Sequence, residues 1–490
     1  MKYQSTRTGT GEVTSTGAVL RGLSPDGGLY MPHAFPAFDW QGTLEKDARG
    51  MAAGILSALL PDFENMEELV ERGYAGKFET EELTPLVSVG ERYVLELYRG
   101  PTSAFKDVAL SMLPQLITAA RAQEGQTEKT LILTATSGDT GKAALEGFHD
   151  VPGTGIIVFY PDGGVSAVQK AQMVTQEGGN VRVCAVRGNF DDAQTGVKQV
   201  FAACEAGGLL RRRGVKLSSA NSINIGRLAP QVMYYFKAYA DLLKAGRIAL
   251  GDKVHFVVPT GNFGDILAGY FAGLLGLPVG RLVCASNENN VLTEFLSTGV
   301  YDRHRPFHKT LSPSMDILVS SNLERLLYLL SGQDGAYVAS LMEQLGKDGR
   351  YQVTPEILAK IKASFGCFWC GDEETEAVIG RVWRMHHYLC DTHTAVAWAA
   401  AEQFHPGDNA PVVVLSTASP YKFPAAVLSA LGEEPGADEF AVMERLHDLT
   451  GVPVPKNLSG LRDKTVRHRD VIGREDMLSY VLEKAGEAQW

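Results

Sequence analysis

The chain has 490 residues, 45% of them hydrophobic and 21% charged, with a formal net charge of −11. That length exceeds one ordinary core and predicts two or three domains, while the charge excludes a nucleic-acid or anionic-membrane surface. No apolar run reaches membrane-spanning length, and Met1-Lys2-Tyr3-Gln4-Ser5 carries no apolar signal region, so a cytoplasmic protein is expected.

Residues 1–100 read as a small mixed unit packing on the larger part of the chain. Leu23-Ser24-Pro25-Asp26-Gly27-Gly28-Leu29-Tyr30 is a tight turn between extended pieces. A helix is expected from about Leu44 to Leu60, stopped by Pro61. A second starts at Asn65, with Glu68 completing a capping box. The strand-like run Tyr93 to Tyr98 ends at Gly100-Pro101. Val108, Leu110, Met112, Leu113, Leu116 and Ile117 then recur on one helical face, and Pro114 should kink that helix. Lys106 is left at the junction, beside Phe105. A lysine there costs free energy unless it has a task. One task is a Schiff base from its amine to a carbonyl, with the amine poised by desolvation. The plainer reading is a surface lysine whose stem packs on the ring.

From Thr130 strands and helices alternate. Strands are expected at Leu131 to Thr136, Ile156 to Tyr160, Val181 to Val186, His255 to Val258, Leu282 to Ala285 and Val412 to Leu415. Helices are expected from Lys142, over Val165 to Glu177, Phe190 to Cys204, Leu228 to Leu243, Asp265 to Leu275, Thr394 to Phe404 and Phe423 to Leu431. The rhythm predicts an α/β protein with two open, twisted, mostly parallel sheets flanked by helices. We divide the chain into residues 1–100, a small α/β domain over 101–225 and a large one over 226–490. Residues 300–385 read as a helix-rich insertion, and the last 40 or so carry no motif. Ligands in such sheets lie at the carboxyl ends of strands. Lys106, Ser137 to Gly141, Thr260 to Gly264 and Ser416 to Ser419 all fall there.

Pro259-Thr260-Gly261-Asn262-Phe263-Gly264-Asp265 has the form of an anion cradle ahead of a helix, with Asp265 then capping the helix rather than binding ligand; the alternative is a plain strand-to-helix turn. Asn221-Ser222-Ile223-Asn224-Ile225-Gly226-Arg227 gathers anion donors before a helix; the alternative is a cap with a solvated arginine. Ser137-Gly138-Asp139-Thr140-Gly141-Lys142 fails as a nucleotide loop, because Thr136 stands where its first glycine belongs and Ala143 follows the lysine. No G-x-G-x-x-G occurs. Of six cysteines, Cys367-Phe368-Trp369-Cys370 has redox spacing but no second pair and no βαβ start, and reads as free thiols. His386, His387 and His393 have no metal spacing, and none is assigned to catalysis.

Together, Gly100 to Asp107, Ser137 to Gly141, Asn221 to Arg227, Pro259 to Asp265 and Ser416 to Pro420 resemble the threonine synthases of many bacteria and fungi. Tyr3 to Arg7 and Leu23 to Pro32 resemble that family's N-terminal region. The resemblance implies a fold-type II enzyme of the tryptophan synthase β-like group, with pyridoxal 5′-phosphate as cofactor. It implies conversion of O-phospho-L-homoserine and water to L-threonine and phosphate. Lys106 matches the family's cofactor-bound lysine, which acts as base and acid. Gly261, Asn262, Phe263 and Gly264 match the cofactor-phosphate loop, and Thr417 the hydroxyl facing the pyridine nitrogen. Ser137, Thr140, Asn221, Ser222 and Arg227 match the substrate-phosphate pocket. Asp139 stands where related dehydratases place an Asn beside the cofactor's phenolic oxygen, which leaves that oxygen's partner open. No metal, nucleic acid or membrane is implied, and a monomer or homodimer is expected. The competing readings are a dehydratase or phospholyase of the same superfamily, and an ATP-dependent kinase built on Gly138 to Lys142.

Overall fold

Strands Thr154–Pro161 and Val254–Pro259 are buried along their whole length. Such unbroken runs need cover on both faces, which places them inside parallel sheets. The computed structural model, which describes residues 1–8, 11–136 and 138–487, has two main sheets. One runs Phe365–Trp369, Val279–Ser286, Val254–Pro259, Val412–Ser416, Arg92–Glu96, Leu86–Val89. All its pairings are parallel except the last, a hairpin between Leu86–Val89 and Arg92–Glu96. The other runs Asp470–Ile472, Val181–Val186, Thr154–Pro161, Lys129–Ala135, Val215–Ser218, parallel throughout. The expected α/β architecture is therefore present.

Three features of the sequence reading are corrected. Phe365–Trp369 lies within the expected insertion, yet it pairs with Val279–Ser286 at the edge of the larger sheet. Asp470–Ile472 lies in the stretch without motifs, yet it pairs with Val181–Val186 across the other sheet. Both edge strands are short and only partly buried, and Phe365–Trp369 carries a glycine inside its apolar run, so neither stands out as a strand. The capping box at Asn65 does not form. Asn65 takes a left-handed backbone, φ 51°, and its side chain makes no cap bond, because a capping side chain needs extended backbone at that position.

The N-terminal unit is a ribbon of Tyr3–Ser5 against Tyr30–Pro32 with helices Ser15–Arg21, Ala48–Leu59 and Met66–Tyr74. It packs around helix Lys106–Gln123, which runs on through Pro114. Thr118 Oγ1 donates to the Pro114 carbonyl at 2.7 Å. No helix among the described residues is long and apolar enough to cross a membrane.

Candidate active site

Lys106 is the first residue of its helix, and the loop before it is tied down from two sides. The Asp107 carboxylate accepts from Thr102 N at 2.9 Å and from Thr102 Oγ1 at 2.5 Å. Phe105 N donates to the Thr417 carbonyl at 2.8 Å, and Ala104 bridges Ala418. The carboxyl ends of Arg92–Glu96 and Val412–Ser416 are thus locked together beside Lys106. Its side chain is 11% exposed and packs over the Phe105 ring, with Nζ 5.4 Å from the centroid. Nζ donates to Ser314 Oγ at 3.2 Å and lies 3.8 Å from Asp139 Oδ2. Burial pushes this amine below the usual lysine range; Asp139 opposes the shift, and Lys422 and Arg227 add to it. The surface-lysine reading fails on burial, although the stem does pack on the ring.

Asp139 begins helix Asp139–Phe148 and is the hinge of the charge pattern. Gly138 before it takes φ +145°, and a Cβ there would fall 2.4 Å from the Gln169 amide, which itself donates to Asp139 Oδ1 at 3.0 Å. Lys422 Nζ lies 2.6 Å from the same oxygen. Burial raises the Asp139 carboxyl, but Lys422 and then Lys106 outweigh it and hold it below the usual carboxylate range. Ser314 N donates to His393 Nε2 at 3.1 Å, which fixes the His393 proton on Nδ1, 2.6 Å from Asp391 Oδ2. Sequence reasoning missed Ser314, Lys422 and the buried Asp391–His393 pair. A lysine inside the apolar run Tyr421 to Phe423 was a usable signal for Lys422.

The Gly261–Gly264 loop leads into helix Gly264–Leu274, whose first N–H groups lack intrahelical acceptors. Phe263 is left-handed, φ 62°, and buried. Ser320 Oγ donates to the Gly261 carbonyl at 3.0 Å, and Asn322 Nδ2 to the Asn262 carbonyl at 3.0 Å. These bonds leave the N–H side of the loop for an anion. A Cβ on Gly261 would stand 2.8 Å from the Ser314 carbonyl, and Ser314 is the partner of Lys106. Gly261→Ala must therefore displace backbone that supports the lysine. On the resemblance's assignment of this loop to the cofactor's phosphate, we expect it to weaken cofactor binding by about tenfold or more, since such overpacking costs roughly 1–3 kcal/mol. Titrating the cofactor-free chain with pyridoxal 5′-phosphate checks this.

Asp265 does not cap the helix; Phe263 holds that position, and Asp265 Oδ1 accepts from Ile266 N at 2.9 Å. Burial lifts its carboxyl from 3.8 to about 7. The folded chain thus keeps a proton that the unfolded chain releases near pH 4. Stability from this group is present at low pH and lost as pH rises through about 7, on the order of 4 kcal/mol in full. The stability gained by Asp265→Asn over the parent should grow between pH 5 and pH 8. A constant difference in thermal midpoint across that range would contradict the assignment.

Arg227 is 3% exposed, on the short helix Ile225–Leu228. One guanidinium nitrogen, Nη1, donates to the Ala220 carbonyl, while Nε has no partner among the described residues. Burial pushes the group down to about 10. A buried cation with an unspent donor fits an anionic ligand, and the solvated-arginine reading fails. Ser222 Oγ lies 3.5 Å from Ser321 Oγ, which donates to Asn262 Oδ1 at 3.3 Å, so the two donor-rich segments adjoin. Thr140 is half-buried in the first turn after Asp139. Asn221 is exposed, and Asn224 rather than Asn221 caps the helix through Gly226 N. Thr417 is buried beside Lys106's loop. Ser137 lies outside the described residues.

The remaining motifs are occupied structurally. Gly138 N and Gly141 N both donate to Thr136 Oγ1 at 2.9 Å, and Lys142 pairs with Glu146 at 2.9 Å. Cys367 and Cys370 are free, and burial pushes both thiols up, Cys370 to about 11, against redox use.

The chain is similar to known proteins. The family described as Threonine synthase N terminus matches residues 2–74, Pyridoxal-phosphate dependent enzyme matches 79–418, and Threonine synthase, C-terminal matches 394–472. The chain is 40% identical over 463 residues to a threonine synthase of Pseudomonas aeruginosa, covering 91% of this chain and 95% of that protein. It is 38% identical over 430 residues to Threonine synthase-like 1 of Macaca fascicularis, covering 84% of this chain but only 57% of that longer protein. The crystal structure of PLP-bound threonine synthase from Brucella melitensis matches with TM-score 0.89 and 37% identity, covering 100% of both chains. The chain belongs to the threonine synthase family, within the pyridoxal-phosphate dependent enzymes.

Proposed function

We propose that this chain converts O-phospho-L-homoserine and water to L-threonine and inorganic phosphate, with pyridoxal 5′-phosphate as cofactor. One observation carries the reading: the buried Lys106 amine lies near enough to the buried Arg227 guanidinium for that cation to weaken the amine's hold on its proton. Lys106 is assigned the cofactor, with Gly261, Asn262, Phe263 and Gly264 taking its phosphate and Thr417 facing its ring nitrogen. When bound, the cofactor supplies an electron sink for the substrate's α-carbon. The chain supplies the rest. Lys106 Nζ takes and returns protons, which its lowered proton affinity suits near neutrality. Asp139 and Ser314 hold that nitrogen in place. Arg227, with Ser222, Thr140, Asn221 and Ser137, is assigned the substrate's phosphate, a second anion that a dehydratase substrate lacks. The kinase reading is disfavoured because the N–H groups of Gly138 and Gly141 are spent on Thr136.

The test is incubation of the pure protein with O-phospho-L-homoserine, with assays for threonine and phosphate. Borohydride reduction and peptide mapping should place a pyridoxyl group on Lys106. Keto-acid formation in place of threonine would support the dehydratase reading; a label on another lysine would remove Lys106 from its role.

A further inference from the structure

Lys422 is a buried cation beside the site to which the proposed reaction gives no task. Its side chain is 0% exposed. Nζ donates to the Thr102 carbonyl at 3.1 Å and lies 2.6 Å from Asp139 Oδ1. The other carboxylate oxygen lies 3.8 Å from Lys106 Nζ and accepts from Ser314 Oγ at 3.4 Å. The three charges form a row, cation–anion–cation, with the carboxylate closer to Lys422 than to Lys106. A packed apolar side chain in place of such an ion is often neutral or stabilising. The ammonium is therefore not explained by stability alone.

We propose that Lys422 is a positioning residue that holds the Asp139 carboxylate beside Lys106 and competes with that amine for its charge, and thereby sets how readily the Lys106 amine gives up its proton. The proposal rests on Lys106 being the reacting amine. The charged groups facing Lys106 are Asp139 and Asp265, which favour its ammonium, and Lys422 and Arg227, which oppose it. Asp139 is also faced by His393. Taking the charge from Lys422 removes one opposing cation. It also leaves Asp139 with Lys106 as its only ammonium neighbour among these groups. Both changes act in one direction: Lys106 holds its proton to higher pH, and less free amine is present near neutrality. A role in packing alone would lower the unfolding temperature without moving this titration.

The test follows Lys106 directly in the full-length chain freed of cofactor. Competitive acetylation across pH, read by mass spectrometry of the Lys106 peptide, gives the midpoint of its amine. In Lys422→Gln, which can still donate to Thr102, the midpoint should rise by about one pH unit, a tenfold loss of free amine at a given pH below it. Lys422→Arg should restore the parent midpoint. A midpoint that is unmoved or lowered in Lys422→Gln overturns the proposal. Should that variant fail to fold, the double variant Asp139→Asn/Lys422→Gln removes both charges and leaves no unpaired partner. Its midpoint should lie above that of Asp139→Asn alone, because one opposing cation is gone while the anion is absent from both, and equal midpoints overturn the proposal. In the cofactor-free chain the labelling reads the Lys106 amine whether or not that lysine is the one the cofactor takes up, so failure here is distinct from a pyridoxyl label on another lysine.

Discussion

Arg227→Ala is expected to lower kcat/KM for O-phospho-L-homoserine by about 10²-fold while leaving the absorbance of the bound cofactor unchanged. The guanidinium is buried, its Nε has no partner among the described residues, and burial already pushes it down to about 10. The folded chain therefore bears the desolvation of a cation before any ligand arrives. A phosphate would meet it with charge-assisted bonds of roughly 1.5–3 kcal/mol each, and a loss of about 3 kcal/mol is about two powers of ten. Inorganic phosphate should inhibit the parent competitively and the variant far less. The free variant should melt no lower than the parent, since it sheds an uncompensated buried charge. Unchanged kcat/KM, or equal turnover of unphosphorylated homoserine, would move the dehydratase reading ahead.

Lys106→Ala should reduce threonine formation by about 10⁴-fold, the upper end of what a positioned acid–base group contributes. The variant should still fold, because the helix from Lys106 to Gln123 is held by its apolar face and by the Asp107–Thr102 bonds, which do not involve the amine. Added methylamine should restore a measurable fraction of turnover by entering the space the side chain leaves. In the parent, activity should fall on the acid side as the amine takes up its proton. The direction follows from the same balance of burial, Asp139, Lys422 and Arg227 that lowers its proton affinity. Rate measurements of parent and variant across pH, with and without methylamine, separate lost chemistry from lost structure.

Much of this site was legible as loops. Gly100-Pro101 before Lys106, the Gly261–Gly264 turn and the Asn221–Arg227 segment each announce a strand end or helix start through local residue choice. Local choice does not encode which distant residue fills the space beside a loop. Lys422 and Ser314 reach Asp139 and Lys106 from positions roughly 200 to 300 residues away, and His393 bonds to Ser314. No spacing links them; only Lys422 is marked locally, as a charged type inside the apolar run Tyr421 to Phe423. The central strands were legible because cover on both faces demands continuous apolar sequence. The edge strands Phe365–Trp369 and Asp470–Ile472 have one side open and carry no such demand.

The pairing of Asp470–Ile472 with Val181–Val186 has a consequence for how the protein is made. About 280 residues separate the two strands in the chain. At roughly 5–20 residues per second of synthesis, Val181–Val186 waits about 15–60 s on the ribosome before its neighbour emerges. Through that interval a buried parallel strand presents an open row of N–H and C=O groups, which invites pairing with another chain. A nascent chain stalled or cut before residue 470 keeps that edge permanently. The last strand to be translated is thus a protective seal on a sheet laid down long before it, and aggregation of truncated chains should begin at that edge.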